Sequence, residues 1–221
     1  MVVKYTNVYV AEPMPAKRKP AAARTAVADG KLRLIAAGLR LGARGQNLTS
    51  LGLRELAREA GLNPNTFYRH FGSMEDLALA AVDEVARQLR AGLHEVRRKA
   101  VKHTDATRGS AEFFFEFAAR NREAFRVAVR EIHGGSPAIR RALRRVMDEV
   151  GAEIADDIRS LGLARTDDPE MLREIATIIV DLLFYRSLDY IERPAERRAI
   201  IDRAVRLATL LFLGSASLME R

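Results

Sequence analysis

One segment decides how this chain folds: Leu51 to Phe71, with the sequence LGLRELAREAGLNPNTFYRHF. It holds two short stretches of helical apolar spacing, joined by Gly61-Leu62-Asn63. Gly61 allows the positive φ that a tight turn needs. Asn63 followed by Pro64 is a favourable cap and first residue for a second helix. The segment therefore predicts a helix-turn-helix.

The two faces of this motif have different predicted partners. In a helix-turn-helix the first helix crosses the second, and the second enters the major groove of DNA. The side chains expected to bury the crossing are Leu53, Leu56, Ala57, Ala60 and Leu62. The polar side chains expected to point outward are Asn65, Thr66, Arg69 and His70.

The basic charge of the chain is concentrated around the motif. The formal net charge is +8, and residues 1–72 contain twelve Lys or Arg against four Asp or Glu. The remaining residues contain twenty-five of each kind. A basic N-terminal module on a neutral body favours a polyanionic partner such as DNA. A solvated basic tail is the alternative, because Lys17, Arg18 and Lys19 are clustered before the first predicted helix.

Working outward from the motif, the sequence predicts an all-α protein. Proline and alanine in residues 1–24 indicate a flexible basic arm. Residues 25–73 are predicted to form the helix-turn-helix domain, and residues 74–221 a C-terminal helical ligand-binding and dimerisation domain. Helices are expected near 25–44, 53–60, 66–71, 74–101, 107–119, 121–132, 136–161, 169–191 and 194–218.

Several function classes are disfavoured by what the sequence lacks. There is no cysteine, so disulfides and thiolate metal sites are impossible. His94, His103 and His133 have no metal-ligand spacing, and no nucleotide-binding or nucleophile motif is present. We therefore expect no enzyme activity, no metal and no cofactor. The apolar stretch Ile175–Tyr185 is too short to span a bilayer, and the first ten residues do not resemble a signal peptide, so a cytoplasmic location is expected.

The sequence LRELAREAGLNPNTFYRHFGSMEDL resembles the DNA-binding signature of TetR-family repressors, over about residues 30–80. Within that family, AREAGLNPNTFYRHF and NREAFRVAVREIHGGSPAIRRAL are similar to the FabR and DesT group, which governs unsaturated fatty acid synthesis. The resemblance implies a homodimeric repressor that binds a palindromic DNA operator. It also implies a small apolar effector, with long-chain fatty acyl-CoA as the expected compound.

The resemblance also implies particular DNA contacts. Arg54 of the first helix would reach towards DNA, and Tyr68 and His70 would contact phosphates. Pro64, Asn65 and Thr66 would form the start of the second helix. Together with the outward-pointing arginine, the predicted set is Arg54, Pro64, Asn65, Thr66, Tyr68, Arg69 and His70. Met74 stands where many members have a phosphate-binding lysine, so one contact is expected to be missing. The basic arm, Lys17 to Arg24, is expected to compensate.

The last two predicted helices are too apolar for a solvated surface. We expect one face to pack into the protomer and the other onto a second copy, as a four-helix bundle. An ordinary buried core is the alternative. The residues concerned are Ile175, Ile178, Ile179, Leu182, Leu183, Val205, Leu207, Leu210, Leu211 and Leu213.

A cluster of phenylalanines between residues 113 and 125 suggests an effector cavity, although such a stripe also fits plain core packing. Phe115 is expected to fall on a different face. The predicted lining residues are Phe114, Phe117, Phe125, Val129, Phe184 and Leu188. Cations for coenzyme A phosphates are available at Arg140, Arg141, Arg144 and Arg145, where a solvated helix face is the alternative.

Two other functions stay open at this point. A structural nucleoid-type DNA binder without a ligand would share the basic motif. A helical small-molecule-binding or catalytic protein would carry the helix-turn-helix incidentally. Preference for one palindrome that survives raised salt separates a regulator from a structural binder.

Overall fold

The computed structural model describes residues 21–100, 103–160 and 168–219, with side chains at 29–100, 105–160 and 168–214. All regular elements in these ranges are helical, as the sequence predicts. The α-helices are α1 (Ala21–Ala43), α2 (Leu53–Ala60), α3 (Met74–Lys99), α4 (His103–Arg120), α5 (Arg122–Glu131), α6 (Pro137–Ser160), α7 (Pro169–Glu192) and α8 (Arg197–Met219). Short 3-10 helices lie at Leu48–Ser50, Pro64–Arg69 and Pro194–Glu196.

The N-terminal region differs from the prediction in two details. Helix α1 begins at Ala21, four residues before the expected start, so the predicted arm overlaps it. The arm lysines Lys17 and Lys19 lie outside the described residues. The second helix of the motif, Pro64–Arg69, is a 3-10 helix rather than an α-helix. Six residues starting with proline form too short a segment for a stable α-helical ladder.

The turn of the motif has the predicted geometry. Gly61 ends α2 in the left-handed region, with φ of 63°. Asn63 caps the next helix, because its side chain accepts a hydrogen bond from the Asn65 backbone N–H at 2.9 Å. Arg33 of α1 donates from Nη2 to the carbonyls of Ala60 and Gly61, at 2.8 and 2.9 Å. The turn is therefore held by glycine geometry, a side-chain cap and a cross-helix clamp.

The body is a bundle in which α6 packs along α7 and α3, and α4 packs against α3, α7 and α8. Phe115 is fully buried at its centre and stacks on Tyr190, with ring centroids 5.0 Å apart. The Tyr190 hydroxyl donates to Glu116 Oε1 at 2.5 Å, and burial raises the pKa of Tyr190 to about 12. Phe115 thus belongs to the structural core, on a different face from the cavity described below.

The two halves of the chain share one apolar core. Gly38 of α1 faces Leu77 of α3 so closely that a Cβ at Gly38 would lie 2.8 Å from Leu77 Cδ2. Ser73 caps α3 by accepting from the Asp76 N–H at 3.0 Å.

None of the described helices combines the length and the hydropathy that a bilayer-spanning segment requires.

Replacing Gly61 by alanine should destabilise the protein by about 1–2 kcal/mol, because a Cβ disfavours the left-handed conformation. It would also lie 2.9 Å from Arg33 Nη2 and disturb the clamp. Gly52→Ala is the matched control, since Gly52 has φ of −70° and its nearest side-chain neighbour, Glu55 Cβ, is 3.8 Å away. Urea unfolding should show a change of less than about 0.5 kcal/mol for the control. Equal effects of the two substitutions would contradict this account of the turn.

Candidate DNA interface and effector cavity

Residues Pro64–Arg69 form a 3-10 helix, which we call the recognition helix. With three residues per turn, residues i and i+3 share a face. Phe67 is buried in the core, whereas Tyr68 is 67% exposed and the side chains of Asn65 and Arg69 are also exposed. The backbone contributes to this order, because Thr66 N–H donates to the Asn63 carbonyl at 2.9 Å. Asn65 and Tyr68 therefore share one outer face, and the exposed Arg69 lies on the neighbouring face with Thr66.

Helix α2 presents its arginines outward and its carboxylates inward. Glu59 accepts from Arg40 Nε at 2.7 Å, and this hydrogen bond, with the charges of Arg40 and Arg44, lowers the pKa of Glu59. Glu55 accepts from Gln46 at 2.9 Å. In the described part of the chain, Arg54 and Arg58 are exposed and form no ion pair. The two carboxylates of α2 thus do not neutralise the outer face of the helix.

Three of the predicted contact residues are less accessible than the others. Pro64, Thr66 and His70 are half-buried. The His70 ring lies against α1, where a Cβ at Gly30 would be 3.1 Å from His70 Nε2. Burial lowers the pKa of His70, and the charges of Arg69 and Lys31 add to that effect.

The exposed polar surface contains one residue that the sequence prediction did not include. We define the operator face as Arg54, Arg58, Asn65, Tyr68 and Arg69. Arg58 stands one helical turn after Arg54, so the i, i+4 spacing could have identified it.

The first turn of α3 is bonded to α6 instead of presenting a cation. Met74 is half-buried, and the Glu75 carboxylate accepts from the Ser136 hydroxyl at 2.6 Å. The same Ser136 oxygen accepts from the Ile139 N–H at 3.2 Å and so caps α6. This arrangement ties the start of α3 to the start of α6.

An apolar cavity of about 90 Å³ lies between α1, α3, α5, α6 and α7; we call it the inner cavity. Three of the predicted lining residues, Phe114, Phe125 and Phe184, line it. Phe117 does not, because its ring packs against Phe113 and Phe125. Val129 also does not line it, since it lies on another side of α5, and Leu188 lies one turn of α7 beyond its end.

The inner cavity touches the DNA-binding domain directly. Leu39 of α1 and Leu48 of the following 3-10 helix form part of its wall. Beside them, Arg130 of α5 donates to the carbonyls of Gly42 and Gln46, at 3.0 and 3.1 Å. A molecule in this cavity would therefore contact both domains, and its size would bear on how they pack.

Helices α7 and α8 leave apolar side chains exposed along one side of the body. Ile178 is 52% exposed and Leu210 is 58% exposed, with Tyr185 and Leu213 also accessible. Ile175, Ile179 and Leu183 from the predicted dimer set are instead buried in the protomer. The helical register explains the difference, because Ile178 and Ile179 lie about 100° apart around α7.

Among the described side chains, no group of three His, Asp or Glu is arranged to hold a metal ion. The chemistry that the structure offers is therefore hydrogen bonding and charge on the operator face, and apolar burial in the body.

Three solved structures with a similar fold are described as regulators. A transcriptional regulator from Rhodococcus sp. Rha1 is 19% identical, with a TM-score of 0.67, over 83% of this chain and 96% of that one. A TetR-family regulator from Syntrophomonas wolfei is 15% identical, with a TM-score of 0.71, over 84% and 96%. The fatty acid degradation regulator FadR from Bacillus halodurans is 13% identical, with a TM-score of 0.66, over 89% and 97%. At these identities the likeness shows the fold.

The N-terminal domain has a more specific match. Residues 34–81 match the family model of bacterial regulatory proteins of the tetR family, over a segment that includes the recognition helix and the start of α3. The family model describes bacterial regulatory proteins. The N-terminal part of this chain thus matches the tetR family over residues 34–81, and the chain has the same fold as the regulators compared above.

Proposed function

We propose that the chain is a homodimeric repressor that binds a palindromic operator through its operator face and is controlled by a fatty-acyl effector. The observation that carries the DNA half of this proposal is the composition of the operator face. Arg54 and Arg58, which form no ion pair with the described residues, lie on α2, and the exposed Asn65 and Tyr68 lie on the recognition helix packed against it.

The two parts of the operator face have different tasks in this proposal. Arg54 and Arg58 bind phosphates, which gives affinity without sequence information. Tyr68 donates its hydroxyl to a phosphate oxygen and fixes the register of the recognition helix. Asn65, at the start of that helix, reads a base edge, since an amide offers both a donor and an acceptor to adenine.

A palindromic operator requires two recognition helices related by a two-fold axis, roughly 34–36 Å apart. The exposed apolar residues on α7 and α8 support a dimer through these helices. Ile178, Tyr185, Leu210 and Leu213 form the proposed dimer face. Such a face is costly to leave in water and is typical of subunit contacts.

The effector half of the proposal rests on the inner cavity and on the resemblance to the FabR and DesT group. Apolar side chains suit a hydrocarbon chain, and the proposed compound is long-chain acyl-CoA. Its phosphates would remain outside the apolar interior, near the exposed Arg141, Arg144 and Arg145 of α6. One solved relative in fold, FadR from Bacillus halodurans, is a fatty acid degradation regulator.

The response would be a shift between two packings of the same chain. A ligand that fills the inner cavity presses on Leu39 and Leu48 and biases the tilt of α1 and α3. Tilt changes the distance between the two recognition helices of the dimer. The ligand can alter operator affinity only by its differential affinity for the two packings, which is typically about 1–3 kcal/mol.

Tyr68→Phe should weaken binding to all DNA by a similar factor, because it removes a phosphate contact. Asn65→Ala should in addition relax the preference for one base pair, at a cost of about 1–3 kcal/mol for the correct site. Titration of operator and mismatched duplexes at fixed salt measures both effects. Arg198→Ala, at a 96% exposed site on α8, should leave both affinities unchanged. Wild-type affinity in both operator-face variants would rule out this docking.

Leu210→Glu should convert the dimer into a monomer that remains folded, because Leu210 is exposed in the protomer and buried in the proposed interface. Sedimentation equilibrium gives the mass, and circular dichroism reports the fold. Leu32→Glu makes the same change at a partly exposed site on α1 and should leave the dimer intact. A wild-type protein that is monomeric at micromolar concentration would contradict the proposal.

Saturated and unsaturated long-chain acyl-CoA should change operator affinity by different factors, within the coupling range of about 1–3 kcal/mol. Operator binding titrated with each compound tests this, with free coenzyme A as the control. Val127→Phe, which fills space beside Gly42 and the inner cavity, should reduce the response to both compounds. Operator affinity that neither acyl-CoA changes would remove the fatty-acyl assignment and leave the DNA assignment in place.

A further inference from the structure

A second cavity, of about 50 Å³, lies in the body between α3, α4, α6, α7 and α8. We call it the outer cavity, because it lies farther from the DNA-binding domain. Its walls are mostly apolar, formed by residues such as Leu93, Ile154, Ile179 and Leu183. Three polar side chains, Arg97, Thr107 and Ser110, also line it. Two of them carry a buried atom that has no hydrogen-bond partner among the described residues, Arg97 Nη1 and Ser110 Oγ.

Arg97 is held in place through its Nε atom. It is 2% exposed, and its Nε donates to Asp157 Oδ2 at 2.7 Å. The same carboxylate oxygen lies 3.3 Å from Nδ1 of His94, which is largely exposed. Asp157 therefore fixes the plane of the guanidinium and uses its Nε, which leaves Nη1 without an acceptor.

A buried donor without an acceptor is costly, and the cost is larger for a charged group. Arginine and a hydroxyl group that line one cavity are complementary to a carboxylate, whose two oxygens accept several hydrogen bonds. The rest of the wall is apolar, so the group that carries the carboxylate must be apolar as well. The unsatisfied atoms and the apolar walls thus favour an apolar molecule that carries a carboxylate.

We infer that the outer cavity is the head-group subsite for an effector with a free carboxylate, which accepts hydrogen bonds from Arg97 Nη1 and Ser110 Oγ. This inference rests on the proposed function in that it assumes a single effector in the body. Within the fatty-acyl class it selects the free acid in place of the coenzyme A thioester proposed above, because the thioester has no anionic oxygen at that end of the chain.

The apolar part of the effector has a direct route toward the DNA-binding domain. Phe114, Val150 and Val180 line both cavities, so the two spaces adjoin. Glu131 lines the inner cavity at the far side and is buried, which disfavours a carboxylate there and orients the acid toward Arg97. The tail then ends near Leu39 and Leu48.

The volumes limit the size of the acid. The two cavities, of about 90 and 50 Å³, are together near the roughly 150 Å³ that holds a benzene ring in an apolar protein cavity. A compact acid of about that size therefore fits with small side-chain movements. A longer chain, such as that of decanoate, requires the helices to move apart, and this movement would be the conformational change that alters DNA binding.

Calorimetric titration of the full-length protein with decanoate, decanol, methyl decanoate and decanoyl-CoA tests the assignment. Decanoate should bind at least about tenfold more tightly than the other three, since only it gives Arg97 an anionic acceptor. Ser110→Ala and Arg97→Met should each weaken decanoate binding by about tenfold or more and leave decanol binding unchanged. Arg98→Met, at the exposed neighbouring arginine, is the matched control and should behave as wild type.

Ser110→Ala keeps the test decisive if Arg97→Met fails to fold. Removing an unpartnered buried hydroxyl should leave the melting temperature of the ligand-free protein unchanged or raise it. Equal affinity for decanoate and its methyl ester, tighter binding of decanoyl-CoA than decanoate, or an unaltered affinity in Ser110→Ala would each overturn the assignment. Calorimetry contains no DNA, so loss of operator binding would count against the proposed function without affecting this result.

Discussion

Close packing between Gly38 of α1 and Leu77 of α3 holds the DNA-binding domain against the body. A Cβ at Gly38 would lie 2.8 Å from Leu77 Cδ2, so a side chain there would force Leu77 or one of the helices to move. The same α3 continues for 26 residues and carries Arg97 in its last turn. Since α1 buttresses the recognition helix and α3 lines both cavities, this one packing contact links the DNA side of the molecule to its interior.

Charge is arranged to suit these two roles. On α2 the carboxylates accept hydrogen bonds from Arg40 of α1 and from Gln46, which follows α1, and the α2 arginines form no ion pair with the described residues. Polar contacts also tie the helices together, from Arg130 to Gly42 across the two domains and from Ser136 to Glu75 within the body. These contacts are few and directional, so a modest movement of α5 or α6 can break them. A core shared by two domains and joined by few hydrogen bonds is well suited to exist in two packings.

Much of the fold was predictable because local signals agreed with each other. The cap at Asn63 and the turn at Gly61 both lie where the sequence predicts them. Which side chains are buried was harder to predict, because it depends on register. Ile178 and Ile179 are equivalent in sequence, yet only one faces outward. Arg97 stands in the basic run Arg97-Arg98-Lys99, and such a run is typical of a solvated helix surface. Its i, i+4 spacing after Leu89 and Leu93 was the signal that it continues a buried stripe.

The central claim is that this chain recognises one DNA sequence as a two-fold symmetric dimer. Selection of bound duplexes from a random DNA pool, repeated at two salt concentrations, tests it most directly. The account predicts enrichment of a single inverted repeat with half-site centres about one helical turn, or a multiple of it, apart. That motif should persist at the higher salt, where non-specific binding is lost. A pool that gains no motif, or binding that disappears uniformly as salt rises, would contradict the account and favour a structural DNA binder.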